Sequence, residues 1–181
     1  MRGNQNSNTR GQATGNYKYF NPTPKTAEEV KRMYRQLAKQ YHPDNGGDAQ
    51  EMANLNNEYH ELWNKLKNVH VNKDGETYTR ETNETPEEFI NLIHTLMSLE
   101  GIIIEVIGCF VWVSGETKPH KEILKMLKFR WHSKKLCWYL SPEDYERRSR
   151  RDYEMDEIRA MYGTSGEVNS DGKKKLEGKG A

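Results

Sequence analysis

The sequence predicts an α+β protein, in which an N-terminal all-α helical hairpin is followed by a small α-β-β-α-β module and a C-terminal helix. Three observations support this class. Apolar residues recur with helical spacing in the N-terminal third of the chain. Short β-rich runs separated by glycine follow in the C-terminal half. Capping boxes, which start helices, precede three of the predicted helices.

Domain boundaries follow from length and composition. The chain has 181 residues, which suits one domain or two small ones with tails. Residues 1–16 and 163–181 are polar and poor in large apolar side chains, and we expect both to be disordered. Between them the patterns predict a folded segment at 17–67, a linker or irregular excursion at 68–83, and a second folded segment at 84–162.

Charge, cysteine content and hydropathy limit the class of protein. The formal net charge is +1, which by itself indicates no charged partner. The two cysteines, Cys109 and Cys137, are too few for a disulfide framework, and we expect both to be reduced. No apolar run is long enough to span a bilayer. We therefore expect a cytoplasmic protein without membrane contact.

The first predicted helix has two chemically different faces. Thr26 and Glu29 form a capping box at its start. Its apolar stripe has helical spacing and consists of Val30, Met33, Tyr34, Leu37, Ala38 and Tyr41. The basic residues project from the opposite face, and these are Lys31, Arg32, Arg35 and Lys39. We expect the apolar face to join a core and the other face to be cationic.

A second helix is predicted to pack against the first. The first helix ends before Pro43, because proline disfavours helical geometry in the residue that precedes it. A turn at Asn45–Gly47 and a capping box at Asp48–Glu51 then start a helix that runs to Leu66. Two amphipathic helices joined by a short loop form an antiparallel hairpin, so residues 42–44 would lie at its tip.

These residues resemble the J-domain (DnaJ) family. Residues 30–41, followed by the His-Pro-Asp tripeptide at 42–44, resemble the second helix and HPD loop of that family. Residues 55–62 resemble its third helix, and 17–20 occupy the place of its short first helix, which packs across the hairpin. The resemblance covers residues 17–66. It implies a co-chaperone that stimulates ATP hydrolysis by a DnaK-type chaperone, without a cofactor and without chemistry of its own.

The resemblance also implies roles for individual residues. The tripeptide would contact the partner near the junction of its nucleotide domain and linker, through His42, Pro43 and Asp44. A helix face would dock on an acidic patch of the partner, through Lys31, Tyr34, Arg35 and Lys39. Tyr34 also belongs to the apolar stripe, so we interpret it chiefly as a core residue. The alternatives are an ordinary turn and a merely solvated basic face.

The chain departs from the family in its second segment, which would supply any targeting to a client. No Gly/Phe-rich region, CxxCxGxG repeat or clear fourth helix follows Leu66. A third capping box at Thr85–Glu88 starts a helix instead. Strands at Ile102–Ile107 and Phe110–Ser114 then form a predicted hairpin. Alternation places one set of strand residues on a common face: Ile102, Ile104 and Val106.

The remaining elements complete the module. The patterns predict a helix at Lys118–Phe129, a strand at Leu136–Leu140 and a final helix from Ser141 to about Tyr162. Parts of this segment, among them Trp112–Lys118 and Phe129–Trp131, are similar to a small β-rich module of phage and plasmid proteins. That similarity implies a mobile-element origin and no particular activity.

Basic residues beside aromatic ones raise a second possibility, nucleic-acid binding. Phosphate contact and base stacking require this combination, here with Trp131, Trp138 and Tyr139 as the aromatic residues. The candidate basic residues are Lys125, Lys128, Arg130, Lys134, Lys135, Arg147, Arg148, Arg150 and Arg151. The alternative, which we favour for so small a module, makes the tryptophans its core and the lysines its solvated rim.

Metal binding and catalysis find no support in the sequence. The spacing of Cys109, His120, His132 and Cys137 matches no usual zinc pattern, so we expect no metal site. The sequence has no Walker A loop, GxSxG, HExxH or dinucleotide-binding fingerprint. We therefore predict a binding protein rather than an enzyme.

Overall fold

The computed structural model describes residues 17–143, 145 and 151–165. This part is α+β, as predicted. The helices are α1 (Ala27–Tyr41), α2 (Ala49–Leu66), α3 (Pro86–Met97), α4 (Lys121–Met126) and α5 (Met155–Tyr162). The strands are β1 (Val69–Val71), β2 (Thr77–Thr79), β3 (Ile102–Ile107), β4 (Phe110–Gly115), β5 (Arg130–His132) and β6 (Cys137–Leu140). The predicted disorder of residues 1–16 concerns residues outside the described part.

Helices α1 and α2 have the predicted N-caps, Thr26 and Asp48, but not the full capping boxes, since the Glu29 carboxylate accepts from the Lys25 amide instead; the two helices run antiparallel. The Thr26 hydroxyl accepts from the Glu29 amide, and the Asp48 carboxylate accepts from two amides of the first turn of α2. Tyr34 donates to Asn56, while Lys31 lies over the ring of Trp63. Because earlier residues of α1 meet later residues of α2, the two helices point in opposite directions.

The segment that precedes α1 packs against this helical pair without forming a helix. The amides of Lys18 and Tyr19 donate to the Glu58 carboxylate at 2.7 and 2.9 Å. The Tyr19 ring packs edge-on against Tyr41, with 5.2 Å between ring centroids. Since a side chain satisfies these amides, the short first helix implied by the family resemblance is absent from this position.

The larger sheet is antiparallel, with the strand order β3-β4-β6-β5. Gly108 has φ +57 in the two-residue turn that joins β3 to β4, a conformation that favours glycine. The predicted alternation in β3 is confirmed: Ile102, Ile104 and Val106 join the main core, which includes residues of α1, α2 and α3. The other face of the sheet packs against α5 through Ile107 and its neighbours.

Three regions differ from the sequence predictions. The expected linker at 68–83 contains the β1-β2 hairpin. Strand β5, which is only three residues long, was not predicted. The last helix begins at Met155 rather than Ser141, because Glu154 and Glu157 form a capping box that starts it there.

One core joins the two predicted folded segments. Phe89 of α3 packs against Tyr34 and Tyr59, with ring centroids 6.0 and 5.8 Å apart. The tail was predicted to be disordered from residue 163, but the chain is still ordered at Ser165. The Ser165 amide donates to the Val106 carbonyl at 3.1 Å and extends the edge of β3. The rest of that tail lies outside the described residues. Among those described, no helix is long and apolar enough to cross a membrane.

Candidate partner-binding site

The tip between α1 and α2 is a short, internally bonded turn. His42 leaves the helix with extended backbone angles, as expected for a residue that precedes proline. The His42 carbonyl accepts from the amides of Asn45 and Gly47 at 2.9 and 3.0 Å. The Asn45 side chain donates to the Lys39 carbonyl at 3.0 Å. These bonds hold residues 42–47 in one conformation relative to the end of α1.

Asp44 is the exposed acid of this turn. Its side chain is 76% exposed, whereas the His42 ring is 13% exposed. The Asp44 amide donates to Nδ1 of His42 at 3.2 Å, so this nitrogen is an unprotonated acceptor. The Asp44 carboxylate lies 3.6 Å from the same nitrogen, but an acceptor nitrogen cannot donate to it. The carboxylate is therefore available to a donor from outside the chain.

Helix α3 supports the base of the turn through His94. The rings of His42 and His94 meet edge-on with centroids 4.9 Å apart, and Nε2 of His94 lies 3.3 Å from the Tyr34 hydroxyl. Burial and, to a smaller extent, the neighbouring His42 lower the pKa of His94. The edge-on contact between these two rings therefore joins the tip to the second segment.

The expectation of an exposed cationic face on α1 is wrong for Lys31 and Arg35. The Lys31 side chain is only 8% exposed and pairs with Glu84, with 2.5 Å from Nζ to Oε2. Its ammonium also lies 4.9 Å from the centre of the Phe89 ring. These contacts come from the second segment, which lies on this side of the helix.

Arg35 is more deeply buried than Lys31. Its exposed fraction is 2%, and its Nε and Nη1 have no hydrogen-bond partner among the described residues. Burial lowers the pKa of the guanidinium to about 10. Lys39, one turn closer to the tip, is partly exposed. Tyr34 is fully buried, in agreement with its interpretation as a core residue.

A buried acid–histidine pair lies beside this covered face. Glu28 and His70 are 2.7 Å apart, and both are about 95% buried. They line a cavity of about 10 Å³ together with Cys109, room for one water molecule. Burial raises the pKa of Cys109 to about 11, which makes the thiol a poor nucleophile. No local pattern links residues so distant in sequence, so sequence reasoning missed Glu28, His70 and Glu84.

The residues proposed for nucleic-acid contact are mostly paired with acids where the structure describes them. The pairs are Lys125–Glu122, Lys128–Glu143, Lys134–Asp152, Lys135–Asp152 and Arg151–Glu157, with shortest N–O distances of 2.6–3.5 Å. Arg130 is exposed on β5. The predicted contacts of Arg147, Arg148 and Arg150 fall outside the described residues.

The aromatic residues of this group separate into core and surface. Trp138 is buried in the main core, as the structural interpretation of the tryptophans predicts. Trp131, its cross-strand neighbour, is 45% exposed. Tyr139 lies on the opposite face of the sheet, where it packs against Trp112. One large ring is therefore available at this surface.

Comparisons with protein-family models, curated proteins and solved structures found no match to this chain. Within the part of the chain that the structure describes, no group of three or more His, Cys, Asp or Glu side chains could hold a metal ion. The functional conclusions below therefore depend on the residues and geometry of the chain itself.

Proposed function

We propose that the chain is a J-domain co-chaperone that stimulates ATP hydrolysis by a DnaK-type chaperone. One observation supports this most strongly: the His-Pro-Asp tripeptide lies at the tip of two antiparallel helices, with the Asp44 carboxylate exposed. A carboxylate presented on a proline-restricted turn can accept a charge-assisted hydrogen bond from a basic group of the partner. His42 serves as the internal acceptor that shapes the turn.

The proposed role requires binding rather than chemistry by this chain. A partner that alternates between two states shifts toward the state to which the tip binds more tightly. Lys39 lies one turn from the tip and is partly exposed, so it would contact an acidic patch of the partner without any rearrangement of the chain. Lys31 and Arg35 would join that contact once they are uncovered. No cofactor and no catalytic residue enter this account.

The second segment would direct the chaperone to a client. The candidate contact residues are the large apolar side chains outside the helical pair that are exposed. Those with the greatest exposure are Met126 at 82% and Leu136 at 70%. Their substitution by serine should weaken capture of the client and leave stimulation of the ATPase unchanged.

The test is steady-state ATP hydrolysis by a DnaK-type chaperone, with and without this protein. Asp44→Asn should abolish stimulation while thermal unfolding stays that of the parent, and His42→Gln should abolish stimulation while the chain still folds. Asp74→Asn is the matched control, since Asp74 is another exposed turn acid, 61% exposed in the β1-β2 hairpin. Equal stimulation by the parent and the Asp44→Asn variant would refute the proposal.

Nucleic-acid binding by an accessory protein of a mobile element is a second candidate. The exposed ring of Trp131 on β5 is the observation that favours it. Fluorescence anisotropy with a single-stranded oligonucleotide should then show binding that weakens steeply with salt and is lost in Trp131→Ala. Absence of binding at low salt would remove this candidate.

A further inference from the structure

Lys31, on the basic face of α1, is covered by a segment of the same chain, residues 84–97, which we call the α3 arm. The Glu84 carboxylate pairs with Lys31, and the Glu84 carbonyl accepts from Nε1 of Trp63 at 2.9 Å. Phe89 then lies over the Lys31 ammonium. The arm therefore gives Lys31 an acid and an aromatic surface, the kind of environment that an acidic protein partner would supply.

We propose that the α3 arm is an autoinhibitory cover, which must leave Lys31 before this side chain can engage an acidic surface of the chaperone. This inference rests on the proposed co-chaperone function and concerns the regulation of the same site. In the covered state the tip at 42–44 is still exposed, so the chaperone meets the tip first. The full helix face becomes available only to a molecule whose arm has moved.

Arg35 gives the covered state a built-in weakness. A guanidinium that is buried without a carboxylate disfavours the arrangement that buries it. No carboxylate contributes to the lowered pKa of Arg35, whose cause is burial alone. An acidic patch on the partner would give Arg35 the charge partner that the arm does not provide, so binding and uncovering favour each other.

The α3 arm can also separate without losing its own helix start. Thr85 and Glu88 form a complete capping box, in which each side chain bonds the backbone of the other residue. The N-terminal amides of α3 therefore do not depend on α1 or α2 for partners. The arm is also held by Phe89, Ile93 and Leu96, which are buried in the main core, and its charged contact with the basic face is the pair between Lys31 and Glu84.

The first test is titration of a DnaK-type ATPase with the full-length Glu84→Gln variant. Glutamine keeps the shape of the side chain and removes the charge that holds Lys31. The concentration for half-maximal stimulation should fall at least about fivefold, because a larger fraction of molecules is uncovered. Glu87→Gln is the control, since Glu87 is three residues away, exposed and paired with the surface His60 rather than with Lys31.

The second test measures the cover directly, without the chaperone. A small amine-acylating reagent, followed by mass spectrometry, should modify Lys31 much more slowly than the exposed Lys65 in the parent protein. In Glu84→Gln the Lys31 rate should rise at least about fivefold while the Lys65 rate stays the same. Because this measurement needs no ATPase, it separates failure of the cover from failure of the co-chaperone function.

The two tests distinguish failure of the cover from failure of the co-chaperone function. Unchanged half-maximal concentration and unchanged Lys31 labelling in Glu84→Gln overturn the cover, even where Asp44→Asn abolishes stimulation and the proposed function stands. Absence of stimulation by both the parent and Glu84→Gln overturns the proposed function and the inference with it. If Glu84→Gln lacks a thermal transition, Glu84→Asp is measured instead, and unchanged Lys31 labelling in that variant overturns the cover.

Discussion

The tip and the basic face belong to the same helix, α1, yet their surroundings are opposite. The Asp44 side chain is 76% exposed, whereas the Lys31 side chain is 8% exposed. Sequence alone predicts one continuous docking surface that includes both. The structure shows that proline and local caps form the tip, while a segment 53 residues farther along the chain covers the face. The two halves therefore differ in availability, although His94 of the same segment also contacts the tip.

The largest expected effect is a loss of stability on substitution of Tyr59, which packs against both α1 and α3. Tyr59 is fully buried where α2 meets α1 and α3. Tyr59→Ala should lower the free energy of unfolding by about 3–5 kcal/mol, measured by urea denaturation. Tyr59→Phe is the matched control and should stay within about 1 kcal/mol, because the hydroxyl has no partner among the described residues. A similar loss in both variants would contradict the packing described here.

A smaller effect, an increase in the free energy of unfolding, is expected on substitution of Arg35 in the basic face of α1. The buried Arg35 guanidinium has two nitrogens, Nε and Nη1, without a partner among the described residues, so its replacement by an apolar chain, Arg35→Met, should raise the free energy of unfolding by about 1 kcal/mol. The same substitution at the exposed Arg130 should change it by less than about 0.5 kcal/mol. Arg35→Met should nevertheless weaken stimulation of the ATPase. Clear destabilisation by Arg35→Met would show that Arg35 is not strained by burial.

Substitution of Asp48, the N-cap of α2, tests whether local hydrogen bonds stabilise the tip independently of the α3 arm. The Asp48 carboxylate accepts from the amides of Gln50 and Glu51 at 2.9 and 3.0 Å. Asp48→Ala should lower the free energy of unfolding by about 1 kcal/mol, and Asp48→Asn by only a few tenths. Lys31 labelling should stay slow in both variants, because this cap lies at the tip and not under the α3 arm. Rapid labelling in Asp48→Ala would show that tip and face are not independent.

The smallest expected effect is the pH dependence of stability that His94 contributes where the α3 arm meets the tip. Burial and His42 lower the pKa of His94 from its ordinary value of 6.5, so the unfolded chain binds a proton more readily than the folded chain. The stability that the neutral His94 ring contributes is fully present above the ordinary pKa. It is lost as the pH falls through the lower pKa of His94 in the folded chain. The thermal midpoint should drop less between neutral and mildly acidic pH in His94→Gln than in the parent. The surface variant His60→Gln should keep the parental dependence.

Elements with local signals could be predicted from the sequence. Thr26, Asp48 and Thr85 cap α1, α2 and α3 as their spacing indicates. Strands β3 and β4 follow from their apolar runs and from Gly108 in the turn. In each case the controlling residues lie within one or two turns of the element, so a short window of sequence contains the cause.

Elements that depend on distant contacts could not be predicted. The burial of Lys31 depends on Glu84, and the burial of Glu28 depends on His70 in the β1-β2 hairpin. A basic residue opposite an apolar stripe ordinarily faces solvent, and nothing near Lys31 in the sequence indicates otherwise. Thus the candidate tip was predictable, whereas the state of the adjoining helix face was not.

The most direct measurement is single-turnover hydrolysis of ATP bound to a DnaK-type chaperone, with the parent protein, Asp44→Asn and Glu84→Gln each titrated over the same range of concentrations. The account predicts several-fold acceleration by the parent at saturation, none by Asp44→Asn, and acceleration by Glu84→Gln at lower concentration. Equal acceleration by the parent and Asp44→Asn, or no acceleration by any of the three, would contradict it.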